Sequence, residues 1–526
     1  MKNKAGRWLI IILAVLPFQL PLLQHLWSGP SATGFLQYDA PYYLANARAI
    51  FERGNGFAYP NAYDPDPHSP VIYFHWLIWL LGAGVKFLHL DPGMLYASMG
   101  VVAAIICGAL TLKLVELTLP DPRGRRWWFL LTMWGGGIVF LCGAIGNLRA
   151  RIPLMEDPFW LDTGNGAWLS NWGRNLQFPT EAVYHCLVAA AWIAVLQRRW
   201  LQAIFAVVAL AATHPFSGLQ HLLILGAWFL MVALKERTPA AWGRTGIVLI
   251  AGGLFAGYYF WFLNQFPAHR NLAAFWSIPV QGYSVSTINL LVSIGPLAVL
   301  AIWSLRCKRW RPNEADKFWI TAFAVTFLLM KHDWFIAPQQ PAHFIHGYQW
   351  LPLWLIALPQ LQSWTTRLFA KVSRLKACLV CGFCCCLFIS DNTAVIASDL
   401  NGAERDVFSF APGEREMFAW MDQAHLHGVL LCYDTRISYL SPVYTGVRPY
   451  YGHLNNTPDI RARWQDVSAW YRSGQTGPWL DSIDYVLIER TRPPAVFDRS
   501  KWRELHGNPS FVLFAHERTT PVNGTK

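Results

Sequence analysis

Apolar runs long enough to cross a bilayer, parted by short basic clusters, constrain this chain more than any other feature. A helix needs about 20 apolar residues to cross the hydrocarbon core. Trp8 to Trp27 runs that far without a charge, behind Lys2, Lys4 and Arg7. Further runs lie near 94–118, 128–146, 180–197, 200–213, 217–234, 245–263, 287–305, 317–331, 347–361 and 377–397. Together they predict a polytopic α-helical membrane protein of about 11 transmembrane helices. With 54% hydrophobic and only 14% charged residues, the bilayer is its main solvent. The 28 Trp suit a chain that meets many lipid–water interfaces.

The formal charge of +12 is spread over short clusters between the runs, so it reads as a topology signal and no nucleic-acid partner is expected. Basic loops stay cytoplasmic. The clusters Arg123, Arg125, Arg126; Arg198, Arg199; Lys235, Arg237, Arg244; Arg306, Lys308, Arg309, Arg311; and Arg367, Lys371, Arg374, Lys376 all fall on one side only if the apolar stretch 70–90 does not cross. The first run, followed by no clear cleavage site, is expected to remain as a helix with a cytoplasmic N-terminus. An odd number of spans then puts the C-terminus outside. The expected setting is the plasma membrane, the inner membrane of a bacterium. Three polar segments share the outer face, Ser28 to Ser69, Asn147 to Pro179 and Lys331 to His346, joined by the tail from about Ser398.

This parity divides the chain into a transmembrane domain, 1–397, with outer loops 28–93, 147–179 and 331–346, and an extracytoplasmic domain, 398–526. In that domain Val429 to Tyr433 and Tyr485 to Ile488 read as buried strands and Glu414 to His425 as a helix, a small α/β unit. The ten cysteines do not make a disulfide framework. The run Cys378, Cys381, Cys384, Cys385, Cys386 lies inside an apolar segment, which favours packing or lipid-facing residues over a metal site.

In the first outer loop, Tyr43, Ala47, Ile50 and Phe51 repeat at helical spacing, giving a surface helix with Asp39 at its N-terminal end and Gly54 and Gly56 as stops. His68-Ser69-Pro70 follows and opens the 70–90 stretch. A basic first helix, an outer loop with an early acidic residue, a His-Pro-type element and a peripheral helix, in this order, resemble the GT-C superfamily of membrane glycosyltransferases. The tail is similar to that of bacterial members with an extracytoplasmic C-terminal domain, through Ser438 to Pro442, Thr445 to His453, Asn456 to Pro458 and Asp484 to Ile488. The second outer loop departs from a one-Asp pattern by offering Glu156 and Asp157 together.

The resemblance implies a glycosyltransferase that takes a sugar from a polyprenyl phosphate or diphosphate and passes it to a glycan, lipid or protein acceptor on the extracytoplasmic face. Asp39 matches the position of the carboxylate that activates the acceptor; the structural alternative for an Asp there is a helix N-cap. The departing phosphate needs cationic donors or a metal ion. A divalent metal is the cofactor such carboxylates suit, with Asp39, Glu156 and Asp157 as candidate ligands. Candidate substrate- and phosphate-binding residues are His68, Arg149, Arg151, Glu156, Asp157, Arg174, His214, Lys331, His343, His346 and Tyr348. For Arg149, Arg151 and Arg174 the alternative is headgroup anchoring, and for His214, just before Pro215, a helix-end cap. His343 and His346, three residues apart, suit one face of a helix.

No nucleotide-phosphate loop occurs, which disfavours a sugar nucleotide as donor. Two other functions fit a polytopic chain: a lipid or solute transporter or flippase, which would show charged groups near the midplane and paired repeats, and a noncatalytic membrane subunit of a glycan assembly system. No clear repeat is present.

Overall fold

The computed structural model describes residues 4–119, 121–153, 156, 159–161, 171–276, 285–337, 340–401 and 408–518. Asp157 lies outside them. The chain forms two compact units. One holds 1–21, 99–260 and 277–402; the other holds 22–98, 261–276 and 403–526. The polar tail therefore shares its unit with most of the first hydrophilic loop.

The helices of the first unit begin with α1 (Lys4–Leu26), which enters the second unit at its end. In the second unit follow α2 (Ala40–Glu52) and α3 (Trp76–Leu88), and α4 (Pro92–Thr118) returns the chain to the first. There it continues through α5 (Arg125–Trp134), α6 (Val139–Ala150), α7 (Pro179–Leu196), α8 (Trp200–Ala211), α9 (Pro215–Glu236) and α10 (Pro239–Ala256), with a π-helical turn at Gly257–Phe262. After α11 (Pro267–Trp276) in the second unit come α12 (Thr287–Cys307), α13 (Glu314–Met330), α14 (Trp350–Lys371) and α15 (Arg374–Asn401). Local chemistry sets several of these ends. Asn313 and Asp316 form a reciprocal capping box at the start of α13, and Thr238 caps α10 ahead of Pro239.

Among the described residues seven helices are long and apolar enough to cross a membrane, or eight if α5 and α6, bent by 47° across a short break, count as one span. The expected figure of about 11 also counted the stretches now seen as α8, α13 and α14, which do not pass that test. With 12 residues, α8 is only about 18 Å long. It is a short leg between α7 and α9, and the chain turns through Arg198 in the left-handed conformation. α3 has 13 residues, about 20 Å, so the 70–90 stretch is too short to span. Lipid is legible on the outside of the spans: Leu249, Ile250 and Leu254 of α10 and Leu375, Leu379 and Phe383 of α15 are all exposed, a surface that water would not tolerate. α7 is the innermost span, 67% of its apolar window being buried, against 17% for α10.

In the second unit α16 (Glu414–Gln423), α17 (Thr435–Tyr444) and α18 (Ile460–Ser473) accompany a five-stranded sheet. Its strands are β1 (Gly428–Cys432), β2 (Val447–Pro449), β3 (Tyr485–Glu489), β4 (Trp502–Gly507) and β5 (Phe511–His516), in the order β2-β1-β3-β5-β4. β1 is parallel to β2 and β3, with Leu430 opposite Tyr485. β5 runs antiparallel to β3 and β4. β1, β3 and β5 are almost continuously buried, as strands covered on both faces must be. β4 keeps its polar residues on the exposed edge. Expectation identified β1, β3 and α16; β2 is only three residues long and β4 alternates too weakly to announce itself. α2 packs on α3 and α17. Gly82 permits this, because a Cβ there would sit 2.4 Å from the Ala47 carbonyl oxygen.

Candidate functional site

Asp39 is the N-cap residue of α2, yet its side chain makes no capping hydrogen bond. The structural alternative for this Asp is thus not realised. Its Oδ1 lies 3.4 Å from Nε2 of His453, and the carboxylate remains 42% exposed, so it is held on one side and open on the other. The His453 ring is buried. Its Nδ1 accepts the Asn455 N–H at 3.0 Å, and the Asn456 amide nitrogen lies 3.2 Å from both ring nitrogens.

Four tyrosines box this histidine. The rings of Tyr38, Tyr42, Tyr63 and Tyr439 have centroids 5.0, 5.3, 5.5 and 5.2 Å from it. Three of them are fastened to backbone: the Tyr63 hydroxyl donates to the Tyr439 carbonyl at 3.0 Å, the Tyr439 hydroxyl to the Tyr38 carbonyl, and the Leu454 N–H donates to the Tyr38 oxygen at 2.8 Å. Asn61 donates to the Asn456 carbonyl at 2.6 Å. Burial is the main cause that pushes the Tyr38 phenol up to about 12, with the neighbouring Asp39 charge adding to it and the Leu454 N–H opposing. The arrangement is a carboxylate beside one buried histidine on an aromatic floor. It can accept a proton from a hydroxyl that reaches its open side.

His453 and the four tyrosines were not foreseen as partners of Asp39. Tyr38 and Leu454 are 416 residues apart, and the only signal in the sequence was the crowding of Tyr and His in Tyr450-Tyr451-Gly452-His453. His68 follows Asp66, whose carboxylate accepts the His68 N–H at 2.8 Å; its own side chain is exposed.

The remaining expected residues belong to the first unit. His346 comes within 3.1 Å of the Glu181 carboxylate at the head of α7, and His185 stands 3.9 Å from it. His185 stacks on Tyr348 at 5.0 Å, and His343 stacks on Phe216 at 4.5 Å. Thus His343, His346 and Tyr348 do converge, around the buried Glu181. The two histidines share no helical face: a 3-10 turn ends at Phe344, and His346 takes a left-handed conformation that leads into Gly347. His214 is a helix cap, accepting the Ser217 N–H at 3.1 Å. Lys331 is buried and already engaged with the Asp333 carboxylate at 2.9 Å and the Val285 carbonyl at 2.8 Å, so a phosphate-binding role finds its ammonium spoken for. Arg174 is buried, its guanidinium 5.4 Å from the centre of the Phe159 ring. Arg149, Arg151 and Glu156 are exposed, Arg149 in the last turn of α6 and Arg151 capping it. Among the described residues no group of three His, Cys, Asp or Glu side chains is placed to hold a metal ion; Asp157, one of the three candidate ligands, lies outside them.

No family model matches the chain, and no curated protein does. Among solved structures it is similar to ArnT from Cupriavidus metallidurans, both bound to undecaprenyl phosphate and in the apo state, at 12% identity and a TM-score of 0.43. These alignments cover 97% and 98% of this chain and 98% of the other. It is also similar to the Archaeoglobus fulgidus oligosaccharyltransferase in complex with Zn and sulfate, at 9% identity and a TM-score of 0.36, over 91% of this chain and 68% of that one. Likeness this distant speaks to neither activity nor ligand. The resemblance to the GT-C superfamily rests on this chain's own residues.

Proposed function

We propose that this polytopic membrane protein is a GT-C-type glycosyltransferase, moving a sugar from a polyprenyl phosphate or diphosphate to a hydroxyl acceptor at the extracytoplasmic face. The observation that carries this reading is the free carboxylate of Asp39, at the head of α2 without a capping bond and steadied by His453 at 3.4 Å. In the reaction the acceptor oxygen attacks the anomeric carbon, the bond from that carbon to the phosphate oxygen breaks, and the hydroxyl proton passes to Asp39. The polyprenyl phosphate leaves with the electron pair. His453 stands against one carboxylate oxygen at 3.4 Å, which leaves the open side of the carboxylate to the acceptor.

The extracytoplasmic assignment is supported by the basic clusters and by the length of α3, too short to make an additional crossing. The purified protein, given radiolabelled sugar on a polyprenyl phosphate, on a polyprenyl diphosphate and on a nucleotide, is expected to consume a lipid-linked donor only. Consumption of the sugar nucleotide alone would overturn the donor class. Lipid movement across vesicles without transfer would favour a flippase.

A further inference from the structure

At the other end of α2, 13 residues and about 20 Å from Asp39, the second unit contains a cavity of about 300 Å³. Its lining includes Glu52, Arg53, Asp66, Ser69, His427 and Arg448. Arg53 is the C-cap residue of α2, and its guanidinium has one hydrogen bond, to the Ala62 carbonyl at 3.3 Å. Arg448 projects from the middle of β2. Among the described residues neither arginine forms an ion pair within 4.0 Å.

The acids around them make contacts of their own and keep acceptor capacity to spare. Glu52 pairs with Arg48 at 2.7 Å. Asp66 accepts the His68 N–H, Asp64 the Asp66 N–H and Asp484 the Val429 N–H, at 2.8, 3.1 and 2.8 Å. The two guanidinium groups thus face one space without a direct ion pair, with the carboxylates of Glu52, Asp64, Asp66 and Asp484 in their surroundings. Burial first and Arg448 second hold the Arg53 guanidinium down to about 10, against the opposing charges of Glu52 and Asp64.

The walls are built to stay open. Gly428 has φ +134°, a conformation that favours glycine, and a Cβ on it would lie 2.6 Å from the Asp484 carboxylate. A Cβ on Gly446 would lie 2.7 Å from Nδ1 of His427, so glycine there is what lets the imidazole lie against the backbone. The volume is at the lower end of small-molecule sites, about 300–1,000 Å³, and too large for a bare oxyanion alone.

We propose that this cavity binds a phosphate-bearing sugar, Arg53 and Arg448 taking the phosphate and Glu52, Asp66, Ser69 and His427 taking hydroxyls. Two guanidinium forks match phosphate geometry, and carboxylates beside them are acceptors for sugar hydroxyls. The site is separate from Asp39 and does not depend on its role.

Glucose 1-phosphate, glucose and inorganic phosphate are titrated by calorimetry into the full-length protein in detergent. Glucose 1-phosphate is expected to bind, inorganic phosphate at least tenfold more weakly, and glucose not measurably. Arg448→Gln and, as a second variant, Arg53→Gln should each weaken glucose 1-phosphate at least tenfold, in samples whose melting temperature matches the wild type. Asp39→Asn should bind it normally, which separates a failure of this site from a failure of the transferase reading. No binding to the wild type, or binding unchanged in the melting-matched arginine variant, overturns the proposal. Equal affinity for inorganic phosphate overturns the sugar assignment.

Discussion

Replacing Asp39 by Asn keeps the size and shape of the side chain and removes only the charge and the capacity to take a proton. The cost to the fold is small. Asp39 makes no capping bond, it is 42% exposed, and its one polar neighbour, His453 Nε2, is 3.4 Å away. A half-exposed contact of this kind is worth about 0–1 kcal/mol, and the Asn amide can still face His453. The cost to the reaction is much larger. Losing a carboxylate general base lowers the rate about 10²- to 10⁴-fold, equivalent to roughly 3–5 kcal/mol of barrier. The assay is single-turnover transfer from a polyprenyl-linked sugar with purified wild type and Asp39→Asn, run beside a melting curve on the same samples. The expected result is a melting temperature within a few degrees of the wild type and a rate reduced by two orders of magnitude or more. A variant that transfers within tenfold of the wild type refutes the assignment of Asp39 as base. A variant that loses most of its stability refutes the argument that this carboxylate is free of structural duty.

Two further outcomes test the second unit's packing and electrostatics. Arg436 reaches the buried Glu414 carboxylate at 2.7 Å, so Arg436→Ala leaves a buried charge unpaired and is expected to cost about 3–5 kcal/mol, read as a lowered denaturant midpoint; Glu414→Gln, which removes that charge, should cost less. Tyr38 is pushed up to about 12, chiefly by burial, whereas the unfolded chain ionises near 10. The folded state thus disfavours the phenolate, and Tyr38 contributes a loss of stability as pH rises from about 10 to about 12. Melting curves of Tyr38→Phe should converge on or exceed the wild type over that window; an unchanged alkaline slope would show that Tyr38 does not titrate as described.

The helical membrane class was legible from the sequence, because a span of lipid demands an uninterrupted apolar run and α1, α4, α9 and α12 each carry one. So was α2, whose apolar spacing and following glycines delimit it within a residue or two. α8, α13 and α14 fall short of the length or hydropathy that marks the other spans, a difference a hydropathy run alone does not reveal, since it shows neither where a helix breaks nor how polar its end becomes. His214 and Lys331 were read as ligand-binding groups because a free polar side chain and a satisfied one are spelled alike: only the packed chain shows that the first caps α9 and the second bonds Asp333.

By itself the sequence determined the solvent of this protein and Asp39 as the head of an amphipathic helix, since both depend on residues close together in the chain. The box of tyrosines around His453, the union of the first loop with the tail and the pair of arginines at the far end of α2 were decided only by tertiary structure. Each brings together residues hundreds of positions apart, and no local periodicity encodes which of many tyrosines, histidines or arginines will meet.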